Sequence, residues 1–254
     1  MAMREPVTAI VTSFNEECNI SDCLASVSWA DEVLLVDSGS TDDTLKIAER
    51  FKPRILTHEY ENAAAQKNWA IPQAKHDWIL VVDADERVSP ELKIELERLL
   101  LRGLELPGYY IKRENYFFGK KVNYCGWQRD YVLRFFDRRR GEYEKKHVHA
   151  DVKLDGKPGR IKQVLTHYTY RDWDEYFERF GRYTTWAAQD LHEAGKSAGL
   201  FNLFVRPVIR FWKQYLWHGG FLDGKTGLIL CMLSAFSVFT KYAKLWQRRK
   251  QDAG

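Results

Sequence analysis

The chain has 254 residues, 45% hydrophobic and 29% charged, with a formal net charge of +4. That length and apolar content exclude a disordered or fibrous protein and leave room for one large domain, or one domain with an appendage. The charge is uneven: from residue 201 onward there are nine Lys/Arg against two Asp/Glu, which leaves 30 against 33 in the first 200 residues.

Val7 to Ser13 is a β-branched run that predicts a buried strand, ending in the polar loop FNEECN. Ile20, Leu24 and Val27 then recur at helical spacing. A second strand, Val33 to Val36, runs into DSGSTDDT, where Ser40 or Thr41 caps a helix to about Phe51. Ile55 to Thr57 is a third strand, residues 62–75 are helical with a break at Pro72, and Trp78 to Val82 is a fourth strand. This alternation predicts a parallel, doubly wound α/β sheet, in which ligands lie beyond the carboxyl ends of the strands. After Ser89-Pro90 a helix runs to about Arg102. Tyr109 to Arg113, Tyr116 to Phe118 and residues 130–136 read as further strands, and Asp172 with Glu175 opens a helix ended by Gly195. Cys18, Cys23, Cys125 and Cys231 follow neither CxxC nor zinc-finger spacing and read as reduced thiols. The opening residues MAMREPVTAIVTS lack the apolar stretch of a secretory signal, so the body is expected in the cytoplasm.

The fourth strand runs straight into Asp83-Ala84-Asp85-Glu86. Three carboxylates so close repel one another and resist losing water, so a positive group is expected among them. Asp83 and Asp85 share a side if the strand continues, and could then hold a divalent cation that bridges a diphosphate. Without a metal, one of the two is expected to be partly protonated or turned to solvent. Asp37, ending the second strand, could accept hydrogen bonds from a base or ribose, and Gly39 lets the backbone turn tightly beside it. Lys67 and Asn68, on the helix leading to the same edge, could contact phosphate or ribose.

The stretches VTAIVTSFNEECNI, VLLVDSGSTDDT, AAAQKNWAI and WILVVDADERV resemble, in order and spacing, the family 2 glycosyltransferases. These are nucleotide-sugar enzymes of the GT-A fold, a Rossmann-like, doubly wound, mostly parallel α/β sheet. The resemblance implies that Thr12, Ser13, Asn15 and Glu16 line the nucleotide pocket, that Asp37 reads the base, that Asp83 meets the ribose region and that Asp85 ligates Mg²⁺ or Mn²⁺. The second half resembles bacterial lipopolysaccharide inner-core glucosyltransferases. By that likeness Asp130 is the candidate general base; His149 is a candidate third metal ligand or diphosphate contact, and Trp127, just before Asp130, could stack on the acceptor sugar. Many relatives have His-Glu where this chain has His149-Ala150. Plainer roles remain open: Asp130 in an ion pair with Arg129 or Arg134, His149 as an ordinary strand residue, Trp127 in the core.

Phe201, Phe204, Val205, Val208, Phe211, Trp212, Tyr215 and Leu216 fall on one helical face, with Arg206, Arg210, Lys213 and Gln214 opposite. Gly227 to Phe239 carries no charge but is shorter than the ~20 residues that cross a bilayer. Lys241, Lys244, Arg248, Arg249 and Lys250 follow. This pattern suits helices lying in an anionic membrane interface, with packing on the body or a dimer contact as the alternative, and nucleic acid would not need the wide apolar face. The expected division is a catalytic domain at 1–200 and a helical membrane-associating extension at 201–254. The expected function is inverting, metal-dependent transfer of glucose from UDP-glucose to a membrane-anchored lipopolysaccharide core, on the inner face of a bacterial inner membrane. A polyprenyl phosphate or protein acceptor, or a non-catalytic peripheral membrane protein of the same fold, would use the same features.

Overall fold

A computed structural model describes residues 4–144 and 151–252. They divide by compactness into two units, one of residues 4–113, 131–144 and 151–167, the other of 114–130 and 168–252. The expected boundary at 200 thus falls inside the second unit.

In the first unit, strands β1 (Val7–Ser13), β2 (Glu32–Asp37), β3 (Arg54–Thr57) and β4 (Trp78–Asp83) are joined through helices α1 (Ile20–Val27), α2 (Thr44–Ala48) and α3 (Ala63–Ala70). The four strands are parallel, in the order β3-β2-β1-β4. Alternation along β1 shows why helices cover both faces. Val7, Ala9 and Val11 pack with α1, Ala48 of α2 and Leu92, Leu96 and Leu100 of α4 (Pro90–Arg102), whereas Ile10 packs with Ala64 and Ala70 of α3. Helix starts follow local chemistry: the Asn62 side chain accepts from the N–H groups of Ala64 and Ala65, and the Ser89 side chain from that of Leu92. Pro72 ends α3 in a 3₁₀ turn.

Beyond β4 the sheet becomes mixed, continuing β8 (Tyr131–Asp137), β6 (Gly108–Phe117), β11 (Gly159–Tyr170) and β5 (Glu86–Val88). β8 is antiparallel to both β4 and β6, and β5 is antiparallel to β11. The two short strands expected at 109–118 are one continuous strand, β6. Its charged Glu114 is tolerated because the Tyr116 hydroxyl donates to it at 3.0 Å and Lys121 pairs with it. β9 (Gly141–Tyr143) and β10 (Val152–Leu154) form a separate hairpin.

The second unit is built on α5 (Trp173–Glu193), α6 (Arg206–Trp212) and α7 (Gly224–Asp252). The Asp172 side chain accepts from Glu175 N–H at 2.9 Å, as the capping pattern predicts, while the Glu175 carboxylate turns back to Arg171 N–H. The tail departs from a plain α-helix at 201–218. Pro207 lacks an N–H and crowds the preceding turn, and Phe201–Val205 is π-helical, as is Lys213–Trp217. α7 runs 29 residues, about 43 Å, well beyond the uncharged stretch in its middle. With its leading turn it is long and apolar enough, by length and composition, to cross a membrane.

The approach of α7 to the turn before it leaves no room for a side chain at Gly227, where a Cβ would lie 1.9 Å from the Gly220 carbonyl oxygen. Gly227→Ala is expected to destabilise the second unit by about 1–3 kcal/mol through overpacking. A thermal melt read against the parent checks this, and an unchanged midpoint would refute it.

Candidate active site

The carboxyl ends of β1, β2 and β4 bring the sequence-predicted residues of the first unit together. Thr12 stands opposite Asp83 in the strand register and Ser13 opposite Asp37. Each pair is hydrogen-bonded: Thr12 Oγ1 donates to Asp83 Oδ1 at 3.1 Å and Ser13 Oγ to Asp37 Oδ1 at 2.9 Å. The buried Asp37 carboxylate also accepts from Gly39 N, Ser40 N and Ser40 Oγ at 2.6–2.9 Å, which folds the loop around it. Gly39 has φ +83°, and a Cβ there would meet nothing within 4 Å, so the backbone borders open space that a ligand can approach. Asn15 takes a left-handed conformation, φ +53°, and ties the β1 loop to the β2 loop through Ser40 Oγ and Thr41 N. Glu16 N donates to Thr44 Oγ1, and its carboxylate accepts from Asn19 Nδ2 at 2.7 Å.

The three carboxylates after β4 part ways, because the strand ends at Asp83 and the next two residues turn into β5. The pleat therefore does not bring Asp83 and Asp85 to one side. Asp83 Oδ1 pairs with Lys67 Nζ at 2.7 Å, and its Oδ2 with the Arg134 guanidinium. Glu86, fully buried, accepts from Asp83 N at 2.9 Å and from Arg134 at 2.8 Å, with Arg113 at 3.4 Å. The positive groups the cluster demands are thus the protein's own. Burial opposes ionisation of Asp83, but Arg134 and Lys67 outweigh it and hold the carboxyl well below the usual carboxylate range. Asp83 is accordingly neither protonated nor turned away. Burial likewise opposes the charge on Arg134, and Asp83 and Glu86 reverse that, holding the guanidinium well above its ordinary value.

Asp85 faces elsewhere. Its Oδ2 lies 3.6 Å from His167 Nε2 at the register position of β11 opposite Glu86. Among the described residues no three His, Cys, Asp or Glu side chains converge as a metal cage. The Asp85 carboxylate is a hard oxygen ligand of the kind Mg²⁺ and Mn²⁺ take, and such ions fill their remaining positions with waters and phosphate oxygens, so two protein groups suffice.

Asn68 does not face the loops: both ends of its amide bond the Tyr143 backbone, at 2.9 and 2.8 Å, which fixes β9 against α3. In the second unit, Asp130 follows the 3₁₀ turn Trp127–Arg129, and its Oδ2 accepts from Asn115 Nδ2 at 2.9 Å. Trp127 packs edge-on to Phe117 in a cluster with Val122, Cys125 and Tyr176. His149 lies outside the described residues. Sequence reasoning offered Arg134 only as a partner for Asp130, whereas it pairs with Asp83 and Glu86, and it passed over His167. The signal for Arg134 was a cation inside the apolar run YVLRFF, where a strand tolerates charge only if a partner waits within. His167 gave no comparable local signal.

Comparison with known proteins fits this arrangement. The pattern of the family described as "Glycosyl transferase family 2" matches residues 8–152. The chain is 29% identical over 260 residues to the lipopolysaccharide core biosynthesis glycosyltransferase LpsC of Rhizobium meliloti, covering 100% of this chain and 96% of that one. It is 28% identical to an uncharacterized glycosyltransferase of Rickettsia felis, over 95% of this chain and 89% of the other. Among solved structures, TarS of S. aureus in complex with UDP-GlcNAc superposes with a TM-score of 0.50 at 14% identity, over 97% of this chain and 92% of that one. Glucosyl-3-phosphoglycerate synthase of Mycobacterium tuberculosis, with Mn²⁺, UDP and glucosyl-3-phosphoglycerate, gives 0.50 at 16% identity, over 76% and 81%. The strand order, the loops at its carboxyl edge and the family pattern lead to one assignment: the chain belongs to glycosyl transferase family 2 and is a nucleotide-sugar-dependent glycosyltransferase.

Proposed function

We propose that the protein is a divalent-metal-dependent, inverting glycosyltransferase that moves glucose from UDP-glucose to the inner core of a membrane-anchored lipopolysaccharide. The observation that carries this reading is the parting of the acidic cluster. Asp83 is engaged by Lys67 and Arg134 to brace the edge, whereas Asp85 Oδ2 lies 3.6 Å from His167 Nε2, a carboxylate and an imidazole that would be the groups to hold a divalent ion. The full-length similarity to LpsC, described as acting in lipopolysaccharide core biosynthesis, supports the acceptor class. The Mn²⁺ and UDP held by glucosyl-3-phosphoglycerate synthase support the metal and the donor.

In this reading the loops at Asn15 and Gly39 border the nucleotide, with Asp37 keeping them in shape, and Lys67 adds positive charge beside the diphosphate. Asp85 and His167 would hold the divalent ion, which would supply positive charge to offset that on the departing UDP. Asp130, steadied by Asn115, takes the proton of the acceptor hydroxyl as that oxygen bonds to the anomeric carbon. The bond from that carbon to UDP breaks on the opposite side, so configuration inverts. Attachment of the enzyme to the cytoplasmic face of the inner membrane confines its search for a lipid-linked acceptor to a plane.

Asp85→Ala is expected to lower the rate of UDP release about a hundredfold or more, as loss of several kcal/mol of charge stabilisation requires. Steady-state assays of parent and variant across a Mn²⁺ titration measure it. Equal UDP release at saturating Mn²⁺ would remove Asp85 from the metal site.

A further inference from the structure

The tail at 200–222 packs Leu203, Phe211 and Tyr215 inward but turns most of its other large apolar side chains outward. Leu200, Phe204, Val208, Trp212, Leu216 and Trp217 are all exposed, Trp217 to 86%. Its polar Gln214 is inside instead, buried, with Nε2 donating to the Cys125 carbonyl at 3.1 Å. A helix facing water has the opposite arrangement. No acid occurs between Ala194 and Leu222, whereas Arg206, Arg210 and Lys213 stand exposed there. The next acid, Asp223, is engaged in accepting from Asn123 N at 3.1 Å and Tyr124 N at 2.8 Å. An apolar face among cations complements anionic lipid, and the same cations would repel a second copy of the chain.

The same turn clamps the segment that carries Trp127 and Asp130. Besides Asp223 and Gln214, Gln128 Nε2 donates to the His218 carbonyl at 3.3 Å. Gly220 sits so close that a Cβ would lie 3.1 Å from Cys125 Sγ. We propose that the turn at residues 216–222 inserts into an anionic bilayer, and that its clamp on residues 122–130 makes insertion order the loop bearing Asp130. The enzyme is then most competent where its lipid-linked acceptor lies. Only this last consequence rests on the glycosyltransferase mechanism above; docking and ordering are read without any sugar.

Flotation of the full chain with vesicles of phosphatidylcholine and phosphatidylglycerol, and of phosphatidylcholine alone, tests the docking. The parent is expected to partition to the anionic vesicles. A Trp217→Ser, Leu222→Ser double variant should partition about tenfold or more weakly, having lost two large inserted side chains. Amide hydrogen exchange at 122–130 should slow in the parent when vesicles are added. Asp223→Ala, and separately Gln128→Ala in case the first does not fold, should still float yet show a smaller slowing. Undiminished flotation of the double variant, equal flotation with neutral vesicles, or parental slowing in both clamp variants would overturn the proposal. A chain that floats and orders but transfers no sugar would instead count against the mechanism.

Discussion

Replacing Arg134 with methionine is expected to lower stability by about 3–5 kcal/mol, read as a lower denaturant midpoint at unchanged slope. Arg134 is 4% exposed and bridges Asp83 to a fully buried Glu86, so its removal strands Glu86 without its main counter-charge. The methionine stem fills the space but satisfies neither carboxylate. A pH signature accompanies the loss. The folded Asp83 carboxyl lies below the usual range, so it contributes stability above the unfolded value of about 3.9. That contribution drains away as pH falls below about 4 toward the folded value. Its side chain is 29% exposed, and solvent moderates the effect. The parent's midpoint should therefore fall on acidification below about pH 4, and the variant's should fall less steeply because only Lys67 remains. A methionine variant with parental midpoint and pH profile would show the network to be dispensable.

The second large effect is chemical. Asp130→Asn is expected to bind UDP-glucose as the parent does while transferring glucose about 10²–10⁴ times more slowly, since the amide keeps the shape and loses the base. The Asn115 bond to Oδ2 can persist with an amide oxygen there, so the loop need not rearrange. Calorimetry of donor binding beside single-turnover transfer separates the two quantities. Transfer at the parental rate would move the base to another carboxylate.

Much of the first unit was legible because its rules are local. Apolar runs marked β1, β2 and β4, and the composition of residues 62–75 and the Ser89-Pro90 step marked the helices whose caps prove to be Asn62 and Ser89. β5 was not legible: three residues, two of them charged, form a strand only because β11 supplies a partner at Leu165 for Val88. The site divides in the same way. The residues at the ends of β1, β2 and β4 followed from topology. The division of labour within the acidic cluster did not, because Arg134 and His167 reach it from strands far along the chain, and no periodicity encodes such a meeting. Asn68 misled for the opposite reason, since its helical position resembled a ligand contact until Tyr143 proved to use both ends of the amide.

The separation of 48 residues from Glu86 to Arg134 also carries a meaning for the nascent chain. At a synthesis rate of roughly 5–20 residues per second, β4 emerges several seconds before β8 can cover its open side. During that interval the β4 edge is without its β8 neighbour, and the charges of Asp83, Asp85 and Glu86 at its end are of the kind that discourages pairing with another chain.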